Sequence, residues 1–167
     1  MELSVLVFLG SLALAAYFLA GYPLWLRFFP YRPCAVGKDA GHTPSVTVLL
    51  AVHNGEEFLK AKIENLLTLD YPQDRLRIVV ISDGSTDNTE AIARSFKARG
   101  VELVTVPRGG KAAALNAGLT RAVGELIFFC DVRQRIDPLA LRHLAANFAD
   151  PRVGAVTGEL RILKPDG

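Results

Sequence analysis

The run Val79-Val80-Ile81-Ser82 stops at the small, acidic stretch Asp83-Gly84-Ser85-Thr86-Asp87-Asn88-Thr89, and a helical pattern opens at once. A strand with no polar alternation is buried on both faces, and such strands belong to parallel sheets covered by helices. A strand that ends in a polar loop leading into a helix delivers its side chains to a site at the carboxyl edge of the sheet. The same event recurs along the chain. Val46 to Val52 reads as a strand ending at His53-Asn54-Gly55, with a helix over 56–69 that presents Leu59, Ile63, Leu66 and Leu67 on one face before Tyr71-Pro72. Leu76 to Ser82 is the second strand. Asp87, with Glu90 three residues on, fits an N-cap and capping box, and Gly100 closes that helix. Val101 to Val106 is the third strand, followed by a helix over Lys111 to Ala122. Leu126 to Cys130 is the fourth strand. Asp137-Pro138 opens a helix with Leu141, Leu144 and Phe148 facing inward, and Val153 to Val156 is expected to begin a fifth strand.

Strands alternating with helices of about ten to fourteen residues predict an α/β fold: a Rossmann-like, mostly parallel sheet with helices on both faces and right-handed crossovers. The strand ends at His53-Asn54, Asp83, 107–111 and Asp131 should then converge.

Ahead of this pattern, Leu3 to Leu26 carries no charged residue. About 24 residues at about 1.5 Å each are enough to span a hydrocarbon core of about 30 Å. Tyr17, Tyr22 and Trp25 lie in the second half of the run, as interface aromatics do. The preceding flank holds Glu2, whereas Arg27, Arg32 and Lys38 follow, which puts the N-terminus outside and the rest in the cytoplasm. A cleaved signal peptide would have a positive start and a shorter apolar core. The expected organisation is one transmembrane helix in residues 1–30, a linker over 31–45 rich in turn residues, and an α/β domain over 46–167.

Lys+Arg 19 against Asp+Glu 17 lacks the basic excess expected of a nucleic-acid binder. Cys34 and Cys130 are too few for a disulfide framework, which suits a reducing compartment. Cys130 reads as a small strand residue rather than a nucleophile. Asp83, Ser85 and Asp87 match the opening of an EF-hand, but Asn88 and Arg94 stand where its Gly and bidentate Glu belong. Gly109-Gly110-Lys111 at a helix start combines a cation with free backbone N–H groups, a good anion site. It lacks the first Gly and the Ser/Thr of a P-loop, and no dinucleotide fingerprint follows the first strand. Asp131 could ligate a divalent cation bridging phosphate oxygens, and Arg133 could pair with a diphosphate.

Four segments in order carry a more specific message: Ala51-Val52-His53-Asn54-Gly55-Glu56, Ser82 to Thr89, Gly110-Lys111-Ala112-Ala113-Ala114-Leu115-Asn116-Ala117-Gly118, and Phe128-Phe129-Cys130-Asp131. Together they resemble the nucleotide-sugar half of family 2 glycosyltransferases, which have the GT-A fold, over roughly residues 45 to 160. The resemblance implies a nucleotide-sugar donor, a UDP-sugar first, and a glycan or lipid-linked acceptor. Ala51, His53 and Glu56 would line the base pocket, Asp83 would hold the uracil or ribose, and Lys111 would lie near the nucleotide. Asp131 matches the first acid of the family's Asp-x-Asp motif and would meet a Mg²⁺ or Mn²⁺ ion and the diphosphate. Arg133 replaces the second acid, which puts the metal in question. The family's acceptor half, with its catalytic base, would follow Gly167, so a piece of a longer enzyme is expected. A non-catalytic nucleotide-sugar-binding module and a nucleotidyltransferase-like α/β enzyme are the alternatives.

Overall fold

The computed structural model describes residues 2–29 and 35–161, which form two separate units dividing between Ala35 and Val36. The first unit is helical from Glu2 to Phe28, long and apolar enough to cross a membrane. It runs as α1 (Glu2–Ala16), one π-helical turn (Tyr17–Gly21) and α2 (Tyr22–Phe28). The π turn has an identifiable cause. Pro23 has no N–H to continue the ladder, and a widened turn just before it accommodates the missing donor. None of this helix is buried within its own unit. Arg32 and Cys34, with the first part of the expected linker, lie outside the described residues.

In the second unit, β1 (Val46–Val52), β2 (Leu76–Asp83), β3 (Val101–Val106) and β4 (Leu126–Phe129) form one sheet in the order β3-β2-β1-β4. Every pairing is parallel; Val48 stands opposite Ile78 on one side and Phe128 on the other. Between the strands come α3 (Glu56–Leu67), α4 (Thr89–Ser95) and α5 (Lys111–Leu119); α6 (Ala140–Ala145) follows β4.

The alternation of side chains along β1 and β2 divides the core into two layers. Val46, Val48, Leu50 and Val52, with Ile78 and Val80, face Leu59, Ile63 and Leu66 of α3, Ala93 of α4, and Leu141 and Ala145 of α6. Leu49, Val79 and Ile81 face Ala114 and Leu115 of α5. On that second side α5 approaches closely, because a Cβ at Gly118 would lie 2.8 Å from the Ile81 Cδ1. Ile127 and Phe129 on edge strand β4 stay half exposed there. Ahead of β1, the buried Tyr71 hydroxyl donates to the Pro44 carbonyl (2.6 Å), and Arg75 donates to the carbonyl of Thr43. The later part of the expected linker is therefore packed on the domain.

Two expectations about the elements fail. Residues 153–156 form no strand. The Val153 N–H closes a turn on the Asp150 carbonyl, and the segment finds no neighbouring ladder among the described residues. The capping box at Asp87 and Glu90 is not made. The helix starts at Thr89, whose N–H is taken by Asp87 Oδ1 in an Asx turn, while Glu90 turns back to the Ser82 hydroxyl and Arg94. Asp87 still shapes the entry, through a turn rather than a cap.

Candidate functional site

Because all four strands run the same way, their carboxyl ends share one edge of the sheet. A cavity of about 340 Å³ opens there, lined by Ala51, Val52, His53, Asp83, Arg108, Lys111, Asp131, Val132 and Arg133. Six of the seven residues singled out from the sequence line it. The exception is Glu56. Its Oε2 accepts from the Asn88 backbone and side-chain amides, both at 2.9 Å, which ties the β1–α3 loop to the 83–89 loop. Asn54 strengthens the same seam: its Oδ1 accepts from the Thr86 N–H, and its own N–H donates to the Ser85 hydroxyl.

His53 stands at the end of β1 with Nδ1 2.8 Å from the Asp83 carbonyl. A carbonyl can only accept, so Nδ1 carries a proton, and in the neutral ring Nε2 is an acceptor.

Asp83 is nearly fully buried at the end of β2. Its Oδ1 accepts from the Gly109 N–H (2.7 Å), its Oδ2 from the Gly110 N–H (3.0 Å), and Arg108 Nη1 completes an ion pair with Oδ2. The Gly109 N–H above all, helped by Arg108 and Gly110, holds the Asp83 carboxyl below the usual carboxylate range in spite of its burial. The anion site expected at Gly109-Gly110-Lys111 is thus filled by the protein's own carboxylate. Asp83 supplies the negative charge that the amides ahead of α5 attract. Gly84 makes the approach possible: its φ is +60°, and a Cβ there would come within 2.7 Å of the Arg108 nitrogen. Arg108 drew no attention in the sequence. Its one signal is its place in a loop at the end of a parallel strand.

Asp131 follows β4. Its Oδ1 accepts from the Arg133 N–H and its Oδ2 pairs with Lys111 Nζ, both at 3.1 Å; the Arg133 N–H and Lys111 together lower its pKa. Burial raises the thiol pKa of Cys130 to about 11, so it remains protonated and unreactive at neutral pH. The cavity wall then carries Arg108, Lys111 and Arg133 against Asp83 and Asp131, a cationic surplus suited to a polyanion.

The donor set also bears on a metal. Among the described residues no three His, Cys, Asp or Glu side chains gather closely enough to hold one. Asp131 is a single, partly exposed carboxylate. One carboxylate completed by phosphate oxygens and water is a common way to bind Mg²⁺. These residues fit a cation that arrives with a diphosphate.

The model of the Glycosyl transferase family 2 domain matches residues 47–165. The chain belongs to glycosyltransferase family 2. This family 2 chain is 32% identical over 157 residues to the poly-beta-1,6-N-acetyl-D-glucosamine synthase of Staphylococcus epidermidis, covering 89% of the chain and 37% of that protein. It is also 32% identical over 118 residues to the beta-monoglucosyldiacylglycerol synthase of Synechocystis sp., covering 68% and 25%. Among solved structures, the family 2 chain resembles a mannosyltransferase from Pyrobaculum calidifontis in complex with GDP-Man and Mn²⁺. The TM-score is 0.76 and the identity 31%, over 90% of the chain and 46% of that structure. S. aureus TarS 1-349 in complex with UDP-GlcNAc aligns with a TM-score of 0.58 and 26% identity, covering 61% and 30%. The family 2 chain spans about a third of the length of the curated relatives it matches. The fold is GT-A-like, as the four sequence segments implied.

Proposed function

We propose that this chain is the donor-binding part of a membrane-anchored glycosyltransferase. It takes a nucleotide-sugar, a UDP-sugar in the first instance, for transfer to a polysaccharide or lipid-linked acceptor. One observation carries the reading: the His53, Asp83, Lys111, Asp131 and Arg133 strand-end residues meet in one cavity whose wall carries more cations than anions. Ala51 and His53 form the base end, where the Nε2 of a neutral His53 can accept from a base N–H. Asp83 serves this end chiefly by holding Arg108 and the 109–110 backbone, and Glu56 serves it by fixing the adjoining loop. Lys111 and Arg133 offer charge-assisted hydrogen bonds to the diphosphate. Asp131 would ligate a Mg²⁺ or Mn²⁺ ion, which, when bound, neutralises charge on the departing nucleoside diphosphate.

Inverting transfer also needs a base for the acceptor hydroxyl. Both carboxylates that line the cavity are already engaged, and neither is assigned that role. The Glu2–Phe28 helix is the anchor in this reading, with the domain on the side of Arg27.

Titration calorimetry of the full chain in detergent tests the proposal. UDP or a UDP-sugar should bind, with Lys111→Ala and Asp131→Ala each weakening binding about tenfold, the effect of one lost charge-assisted contact. Binding of GDP in preference to UDP would reassign the base. A folded chain that binds neither, with Mn²⁺ present, would sink the donor-site reading.

A further inference from the structure

The loop that carries Asp131 and Arg133 has little regular structure of its own, yet it is held at three successive points by one helix. Phe58, Lys62 and Asn65 lie four and three residues apart on α3 and so form one stripe. The Arg133 guanidinium lies over the Phe58 ring, 5.4 Å from its centroid. Lys62 Nζ donates to the Gln134 carbonyl at 2.8 Å. Asn65 holds both main-chain groups of Ile136: its Nδ2 donates to the carbonyl and its Oδ1 accepts from the N–H, each at 2.8 Å. The stripe thus contacts 133, 134 and 136 in order.

Lys62 is the telling member. It is 3% exposed, and a buried ammonium is costly. Burial pushes its pKa down, and the nearby Cys130 and Asp131 push part of the way back. A methionine would fill the same space at lower cost, so packing alone does not explain a lysine here. What lysine adds is a donor to the loop backbone at Gln134, next to Arg133 and three residues after Asp131.

We infer that Lys62 and Asn65 are positioning residues of the diphosphate subsite, fixing the 131–136 loop on α3 so that Asp131 and Arg133 are presented to the donor's phosphates. The inference rests on the donor-site reading above. Neither residue touches the ligand. Both act through the loop, and the nucleoside end of the cavity, built on β1 and β2, does not depend on them.

That separation supplies the test. UDP and uridine are titrated into the full chain in detergent, as wild type, Lys62→Met, Asn65→Leu and Asn65→Asp. The expected result is that Lys62→Met and Asn65→Leu weaken UDP about tenfold, as misplaced binding groups do, and leave uridine unchanged. Asn65→Asp keeps the acceptor for the Ile136 N–H and loses the donor, so it should fall between. Lys62→Met preserves side-chain length and removes a desolvated charge, so it folds and carries the test should Asn65→Leu misfold. Parallel losses for uridine and UDP, or an unchanged ratio between them, overturn the positioning role while the donor site stands. A wild-type chain with no preference for UDP over uridine overturns the diphosphate subsite itself, and the positioning role with it.

Discussion

Asp83 shows how far a single side chain can differ from its obvious reading. Its place at the end of a buried strand was plain, because apolar β-branched residues run up to it and glycine follows. What the carboxylate does there was not. It reaches 25 residues along the chain to Arg108 and the next two amides, and nothing local in either segment announces that partnership. A testable acid sensitivity follows. Asp83 and Asp150 both have lowered pKa values in the fold. Gly109, Arg108 and Gly110 lower the first; the Arg152 side chain and N–H, with the Gly37 N–H, lower the second. Each binds its proton more readily in the unfolded chain. The stabilisation is therefore complete above the unfolded value of about 3.9 and is lost as pH falls through the folded values. Urea midpoints should be flat from neutral pH to about pH 5 and fall below about pH 4. Asp150→Asn should lower stability at pH 7 and flatten that acid limb. Asp83→Asn should do the same and also weaken UDP, since the 108–110 loop loses its anchor.

Among the elements, β1, β2 and β3 were legible almost to the residue, because uninterrupted apolar runs bounded by turn residues have few other uses in a soluble fold. Helix ends were less so. The helix expected over 111–122 ends at Leu119, and the one after Asp137 begins only at Ala140 and tightens into a 3₁₀ turn at Ala146–Ala149. Val153 to Val156 has the composition of a strand, but a strand needs a neighbour as well as a pattern. Lys62 and Asn65 escaped notice for a related reason: on a helix face read for its apolar stripe, two polar residues pass as solvated ones. Contact between α5 and the sheet offers a sharp test of packing. Gly118→Val would drive its side chain against Ile81 and Leu49, both fully buried. A loss of about 1–3 kcal/mol in chemical denaturation is expected, the usual cost of overpacking. No loss would mean that α5 sits less tightly on β2 than the distances indicate.

For the molecule as a whole, the two units call for different solvents. The domain buries its own apolar layers, whereas the Glu2–Phe28 helix leaves Leu, Val and Phe side chains exposed along its length. If that helix is an anchor, the full chain should stay with membranes through alkaline carbonate extraction. Leu12→Lys combined with Leu14→Lys, at about 2.5–3.5 kcal/mol for each mid-span charge, should release it. Retention of the double variant would argue for surface attachment by other means.

The strand order carries a consequence in time. Among the described strands β1 is made first and lies in the middle of the sheet, but β4, its second neighbour, is separated from it by three helices and two strands. A ribosome adding about 5–20 residues per second needs several seconds to travel from β1 to β4. Throughout that interval Val46 to Val52, among the most apolar segments of the domain, keeps one edge unpaired. The newborn chain is then most open to chaperones and to pairing with another copy of itself, so slower translation between residues 52 and 126 should lower the yield of folded protein rather than raise it.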